Sequence, residues 1–156
     1  MARVYLETSF FSACVSTRMG ATSASWRASS LDWWNKRATK HELFISTEVV
    51  AEISSAGFQS RDRALAMLRG LKVLELTPEV FELAEHLVVE KVMPAPSVSG
   101  DAIHVSTAIL NRIEYLLSWN VKHLANQNKK AHLAVICLRL KMPPPRIVTP
   151  DAFMGI

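Results

Sequence analysis

Short apolar runs alternate with stretches of helical periodicity along the whole chain. Arg3-Val4-Tyr5-Leu6 reads as a buried strand, and Thr8 or Ser9 can open a helix after it. Residues 19–30 are rich in Ser, Ala and Thr and begin as a loop. From about residue 24 to 40 the spacing turns helical, with Trp26, Leu31, Trp33 and Trp34 on the apolar side. Glu42-Leu43-Phe44-Ile45-Ser46 is a second strand, and Ser46 or Thr47 can cap a helix that carries Val49, Val50 and Ile53 and halts near Gly57. Ser60 opens another helix with Ala64, Leu65, Met67 and Leu68 as its stripe and Gly70 as its stop. Residues 72–76 are a third strand. Thr77-Pro78 places a cap and an N1 proline before a helix over 79–91. Residues 93–100, with two prolines and a glycine, form a loop, and Asp101 sits where an N-cap belongs for a helix to about 111. Residues 114–119 are a fourth strand, 120–126 a turn or short helix, and 128–141 a helix stopped by Pro143-Pro144-Pro145. Arg146-Ile147-Val148 is a fifth strand, and Thr149-Pro150 starts a final turn.

Strands alternating with helices imply βαβ units. The expected fold is α/β, a three-layer arrangement with a central, mostly parallel sheet of about five short strands, in one domain over residues 1–156. Such sheets bind ligands beyond the carboxyl ends of their strands. The polar residues expected there are Glu7, Asp101 and Asn120, with Glu52 entering from the first turns of its helix. Carboxylates gathered in one place repel one another, and burying them is costly; a divalent cation relieves both effects. Oxygen donors of this kind suit Mg²⁺ or Mn²⁺, and no Cys/His spacing points to zinc.

Each residue also has an ordinary structural reading. Glu7 suits a helix start, where the dipole favours negative charge. Glu52 and Glu48, one turn apart, fit a wet helix face. Asp101 fits a simple cap, and Asn120 a turn. His104, three residues beyond Asp101, and His123, after Asn120, are candidates to touch substrate, against hydrogen-bonded and surface roles respectively. Asn35, Lys36, Arg37, Lys40 and His41 beside Trp33 and Trp34 offer charge and stacking to single-stranded RNA, or else are a solvated helix end over core tryptophans. Trp119 is expected at the pocket wall.

The net charge of +4 permits a polyanionic partner without requiring one. No apolar run approaches the length of a membrane span, the first residues do not read as a signal peptide, and Cys14 and Cys137 read as buried free thiols. A cytoplasmic protein with no membrane association is expected.

Four segments in order carry a family resemblance: Tyr5-Leu6-Glu7-Thr8-Ser9; Ile45-Ser46-Thr47-Glu48-Val49-Val50-Ala51-Glu52-Ile53; Gly100-Asp101-Ala102-Ile103-His104-Val105-Ser106-Thr107-Ala108; and Leu117-Ser118-Trp119-Asn120-Val121-Lys122-His123-Leu124-Ala125-Asn126. Together they resemble the four motifs of PIN domains, and Ile147-Val148-Thr149-Pro150-Asp151 is similar to the end of bacterial members. The resemblance implies a Mg²⁺- or Mn²⁺-dependent endoribonuclease leaving a 5′-phosphate and a 3′-hydroxyl. It further implies a VapC-like toxin of a type II toxin–antitoxin pair, with a protein antitoxin and a homodimer as partners. Glu7, Glu52, Asp101 and Asn120 match the acidic quartet; Glu7, Asp101 and Glu52 would be the metal ligands, and Thr8 or Ser9 the supporting hydroxyl. Two positions depart from the family pattern. Glu7 stands where aspartate is usual, and Asn120 keeps an oxygen but drops the charge, so three carboxylates remain. The alternative is a weak or inactive PIN-like module that binds RNA or protein. A nuclease acting on DNA flaps ranks last, because the chain lacks large insertions for clamping a duplex.

Overall fold

Five parallel strands form one sheet in the order β3-β2-β1-β4-β5: β1 (Arg3–Leu6), β2 (Glu42–Ser46), β3 (Lys72–Leu74), β4 (Tyr115–Leu117) and β5 (Arg146–Val148). The computed structural model describes residues 1–120, 124 and 126–155. Seven α-helices lie among them: α1 (Thr8–Val15), α2 (Ala21–Lys36), α3 (Thr47–Ser54), α4 (Arg61–Met67), α5 (Pro78–Val89), α6 (Asp101–Leu110) and α7 (Gln127–Arg139). The expected α/β architecture with a parallel sheet is present, and every strand pairing is parallel.

The central strand explains the arrangement. Val4, Tyr5 and Leu6 are fully buried, as a strand covered on both faces requires. Tyr5 pairs with Phe44 of β2 on one side and Leu116 of β4 on the other. From β1 the chain winds outward through β2 to β3, then returns past β1 to β4 and β5. The winding direction therefore reverses between β1 and β4, and the strand ends diverge there into a crevice. Helix α1 packs on α2, α3 and α4, while α5 packs on α6. The core between the layers includes Phe10, Phe11, Trp33, Ile53, Leu87, Ile103 and Phe153. Cys14 and Cys137 are buried free thiols, and burial pushes their ionisation up to about 12 and about 11. Among the described residues no helix is long and apolar enough to cross a membrane.

Several boundaries differ from the sequence reading. Helix α2 starts at Ala21, so the Ser/Ala/Thr-rich stretch is helix rather than loop, and it ends at Lys36 before a separate 3-10 turn over Ala38–Lys40. Its polar residues face outward along the first turns, which no apolar stripe announces. Strands β3 and β4 are each only three residues long. Gly100, not Asp101, is the N-cap of α6; its φ of 76° and ψ of −145° belong to glycine, and Asp101 is the first helical residue.

Candidate functional site

The sheet brings Glu7, Ser46 and Ser118–Asn120 to its carboxyl end, because each follows or closes a parallel strand. Glu7 and the Ser118–Asn120 segment flank the reversal point between β1 and β4. Glu7 is also the N-cap of α1, its carboxylate accepting the Ser9 N–H at 2.9 Å. It is only 6% exposed. The same oxygen, Oε2, accepts from Ser118 Oγ at 2.9 Å and from Ser9 Oγ in a very short contact. Ser118 Oγ in turn receives the Asn120 N–H at 2.9 Å, and Asn120 Nδ2 donates to Asp101 Oδ1 at 2.9 Å. A continuous chain of hydrogen bonds thus runs from Glu7 to Asp101 across two strand ends.

A second chain lies beside the first. Thr8 Oγ1 donates to Glu52 Oε1 at 2.6 Å, and His104 Nε2 meets the same oxygen at 2.6 Å. His104 Nδ1 lies 2.7 Å from the Tyr5 hydroxyl, which is 2.7 Å from Ser46 Oγ. A carboxylate only accepts, so Nε2 carries the hydrogen. Burial draws the His104 ionisation down, but the hydrogen bond to Glu52 and the charges of Glu7, Glu52 and Glu48 outweigh it and raise the imidazole above its usual value. Burial draws Glu52 up, and the hydrogen bond and charge of His104, with the Thr8 hydroxyl, outweigh that and hold it below the usual range. Tyr5 ionises well above its normal range, chiefly through burial.

The structure therefore brings Glu7, Thr8, Ser9, Glu52, Asp101 and Asn120 to one end of the sheet, linked by hydrogen bonds or sequence adjacency. His104 is there too, but its ring is fully buried with both nitrogens engaged, so it faces Glu52 and Tyr5 and does not reach a substrate. Lys36 and Arg37 lie elsewhere. They end α2 near the amino end of β2, and Lys36 pairs with Asp32 at 2.7 Å. Strand β2 separates them from the site by about 13 Å. Trp33 beside them is core, fully buried and stacked on Phe153, in line with the reading of a solvated helix end over a core tryptophan. His123 lies outside the described residues.

Two site residues were not foreseen. Glu48 is buried and accepts the Gly100 N–H in a very short contact, which pins the start of α6 next to Asp101. The signal was its i,i+4 spacing to Glu52, which puts both carboxylates on one helix face. Ser118 joins Glu7 to Asn120, a role no spacing rule marks.

The donor types, carboxylate and amide oxygens, suit a hard divalent cation. Among the described residues no Lys or Arg pairs with Glu7, Glu48, Glu52 or Asp101. Glu7 is buried with hydroxyl and backbone N–H partners alone. On Glu7, Glu52 and Asp101 one oxygen takes the protein donors, and the other meets no donor among the described residues. The carboxylates are not drawn together around a point, however. No three His, Cys, Asp or Glu side chains among the described residues are gathered closely enough to ligate one ion.

Comparison with solved structures adds the fold. A toxin–antitoxin complex from Klebsiella pneumoniae superposes with a TM-score of 0.59 at 17% identity, over 94% of this chain and 97% of that one. VapBC2 of Rickettsia felis, solved on a DNA fragment from its promoter, gives 0.57 at 15% identity over 94% and 97%. The Mycobacterium tuberculosis toxin VapC20, which cleaves the sarcin–ricin loop, gives 0.56 at 17% identity over 83% and 94%. The chain has the PIN-like fold of VapC toxins. In this PIN-like fold the reversal point between β1 and β4 is where Glu7, Asp101 and Asn120 meet. The sequence by itself matches no protein-family model and no curated protein.

Proposed function

We propose that the protein is a Mg²⁺- or Mn²⁺-dependent endoribonuclease, the toxin of a type II pair, held in check by a protein antitoxin and active as a homodimer in the cytoplasm. The observation that carries this reading is the hydrogen-bonded run Glu7–Ser118–Asn120–Asp101 at the strand-order reversal, with Glu52 beside it through Thr8 and no Lys or Arg among the described residues paired with the three carboxylates; His104 meets Glu52. The likeness to VapC toxins and their complexes supports it.

Glu7, Glu52 and Asp101 are the residues that would hold the cation, which when bound polarises the scissile phosphate and acidifies an attacking water. The protein's own groups do the rest. Asn120 Nδ2 holds Asp101 Oδ1, which orients the second carboxyl oxygen. Thr8 and His104 fix Glu52 Oε1, leaving Oε2 free to share the cation. In-line attack by the water, which gives its proton to solvent, forms the P–O bond of a 5′-phosphate as the bond to the 3′-oxygen breaks, and that oxygen takes a proton from solvent to leave as the 3′-hydroxyl.

Purified protein incubated with structured RNA and Mn²⁺ is expected to cut it. EDTA and Asp101→Ala are each expected to abolish cutting, while the variant's melting temperature stays close to the parent's. Cleavage persisting in EDTA or in the variant removes this mechanism. The spread of the carboxylates favours a second reading, a non-catalytic PIN-like binding module. Calorimetry separates the two: a nuclease shows saturable Mn²⁺ binding that Asp101→Ala removes, and a decayed module shows none.

A further inference from the structure

A groove of about 500 Å³ opens beside the acidic site, between α1, the first turns of α2 and the loop from α3 to α4. Its wall begins at Ser9, whose hydroxyl also contacts Glu7 and accepts the Trp119 N–H at 2.8 Å. The groove is therefore continuous with the site. Trp26 lines it and is 38% exposed, and the Trp26 ring is stacked on Trp119 at 4.8 Å and 9°. Trp119 is fixed from behind by a 2.7 Å hydrogen bond from its Nε1 to the buried Ser30 hydroxyl. Trp26 is thus a rigid aromatic edge with a backing plane, not a loose surface side chain. Phe58 supplies a second aromatic wall.

The polar lining has one charge sign. Arg18 is exposed, and its guanidinium meets no partner among the described residues. The other polar members are hydroxyls and Gln59; no carboxylate lines the groove. A carboxylate site that opens into a groove with a cation, stacking surfaces and hydroxyl donors matches a strand whose backbone is anionic and whose bases are unpaired.

We propose that this groove seats an unpaired stretch of the RNA strand next to the cleavage point, with a base against Trp26 or Phe58 and a phosphate at Arg18. The identity of the strand rests on the nuclease reading; the groove's chemistry does not.

Fluorescence anisotropy of an end-labelled single-stranded RNA of mixed sequence, measured in EDTA so that nothing is cut, tests it. Trp26→Ala and Arg18→Ala are each expected to weaken binding about tenfold, in the range for loss of one base stack or one phosphate contact. Trp26→Phe keeps most of the affinity, which separates lost stacking from lost folding. Arg18→Ala also lowers the salt slope of log K by about 0.7. Arg139→Ala removes the same charge at the end of α7 and leaves affinity unchanged. The same RNA annealed to its complement binds more weakly, because its bases are already stacked. Equal affinity of the parent, Trp26→Ala and Arg18→Ala, or a duplex that binds as tightly as the single strand, overturns the subsite and leaves the groove to a protein partner. Two further outcomes separate this inference from the nuclease. Binding lost in both variants, with no Mn²⁺-dependent cutting by the parent, keeps the groove and removes the nuclease. Asp101-dependent cutting, with affinity unchanged in both variants, does the reverse.

Discussion

Glu52 takes two short hydrogen bonds on one oxygen, and the partner that matters for pH is the buried His104. Its folded ionisation lies above the ordinary 6.5. The pair therefore contributes fully below the unfolded histidine value, and its contribution is lost as pH rises through the folded value. Glu52 sets the lower edge. Its folded value lies below the ordinary 4.5, so its share is present above that figure and is lost as pH falls through the folded one. Metal-free protein in EDTA is expected to be more stable than His104→Gln around pH 5 to 6. The gap should narrow as pH climbs above 6.5, read as urea midpoints across the range. A constant gap at all pH values overturns the charged pairing. The variant itself is expected to cost about 1 to 3 kcal/mol, since the buried Tyr5 hydroxyl loses a partner. At this scale the sequence carried residue types but not their pairings. Glu7 and Asn120 stood out as oxygen donors past strand ends, Asp101 as one that opens a helix after a loop, and Glu52 as one that enters from the turns of its own helix. Ser118 and Glu48 were not, because a serine and a second glutamate look the same whether they bind water or a neighbour 50 or more positions away.

Helix α6 begins at a glycine that no other residue replaces without strain. Gly100 holds φ 76° and ψ −145°, and a Cβ built there would meet nothing within 4 Å. The penalty for Gly100→Ala is thus backbone strain alone, about 1 to 3 kcal/mol. Because Glu48 fixes the Gly100 N–H, that strain falls on the turn that aims Asp101. Gly100→Ala is expected to lower the urea midpoint and to reduce RNA cutting more than its stability loss explains. A variant as stable as the parent overturns the assignment. Element types were largely legible from periodicity, as for β1, with its buried Val4-Tyr5-Leu6, and for α5, with its N1 proline. Direction was not. Helix α2 carries Trp26 at the site and Lys36 ten residues away, about 15 Å along the axis. The basic end of the helix and Trp26 therefore face different parts of the molecule.

Across the whole molecule, the sequence pattern of short strands alternating with helices sufficed for the class of fold, while the order β3-β2-β1-β4-β5 is seen only in the folded chain. What it lacked was the relation between remote segments: α2 returns to cover the end of β4, and only the folded chain shows Trp26 lying flat on Trp119. Two indoles stacked 4.8 Å apart with nearly parallel planes have coupled electronic transitions. The protein thereby contains its own optical gauge one residue from Asn120. Its far-ultraviolet circular dichroism should carry a paired, opposite-signed band that vanishes in Trp26→Phe while the near-ultraviolet signals of Trp33 and Trp34 remain, and adding uncut RNA in EDTA should perturb that band before any other.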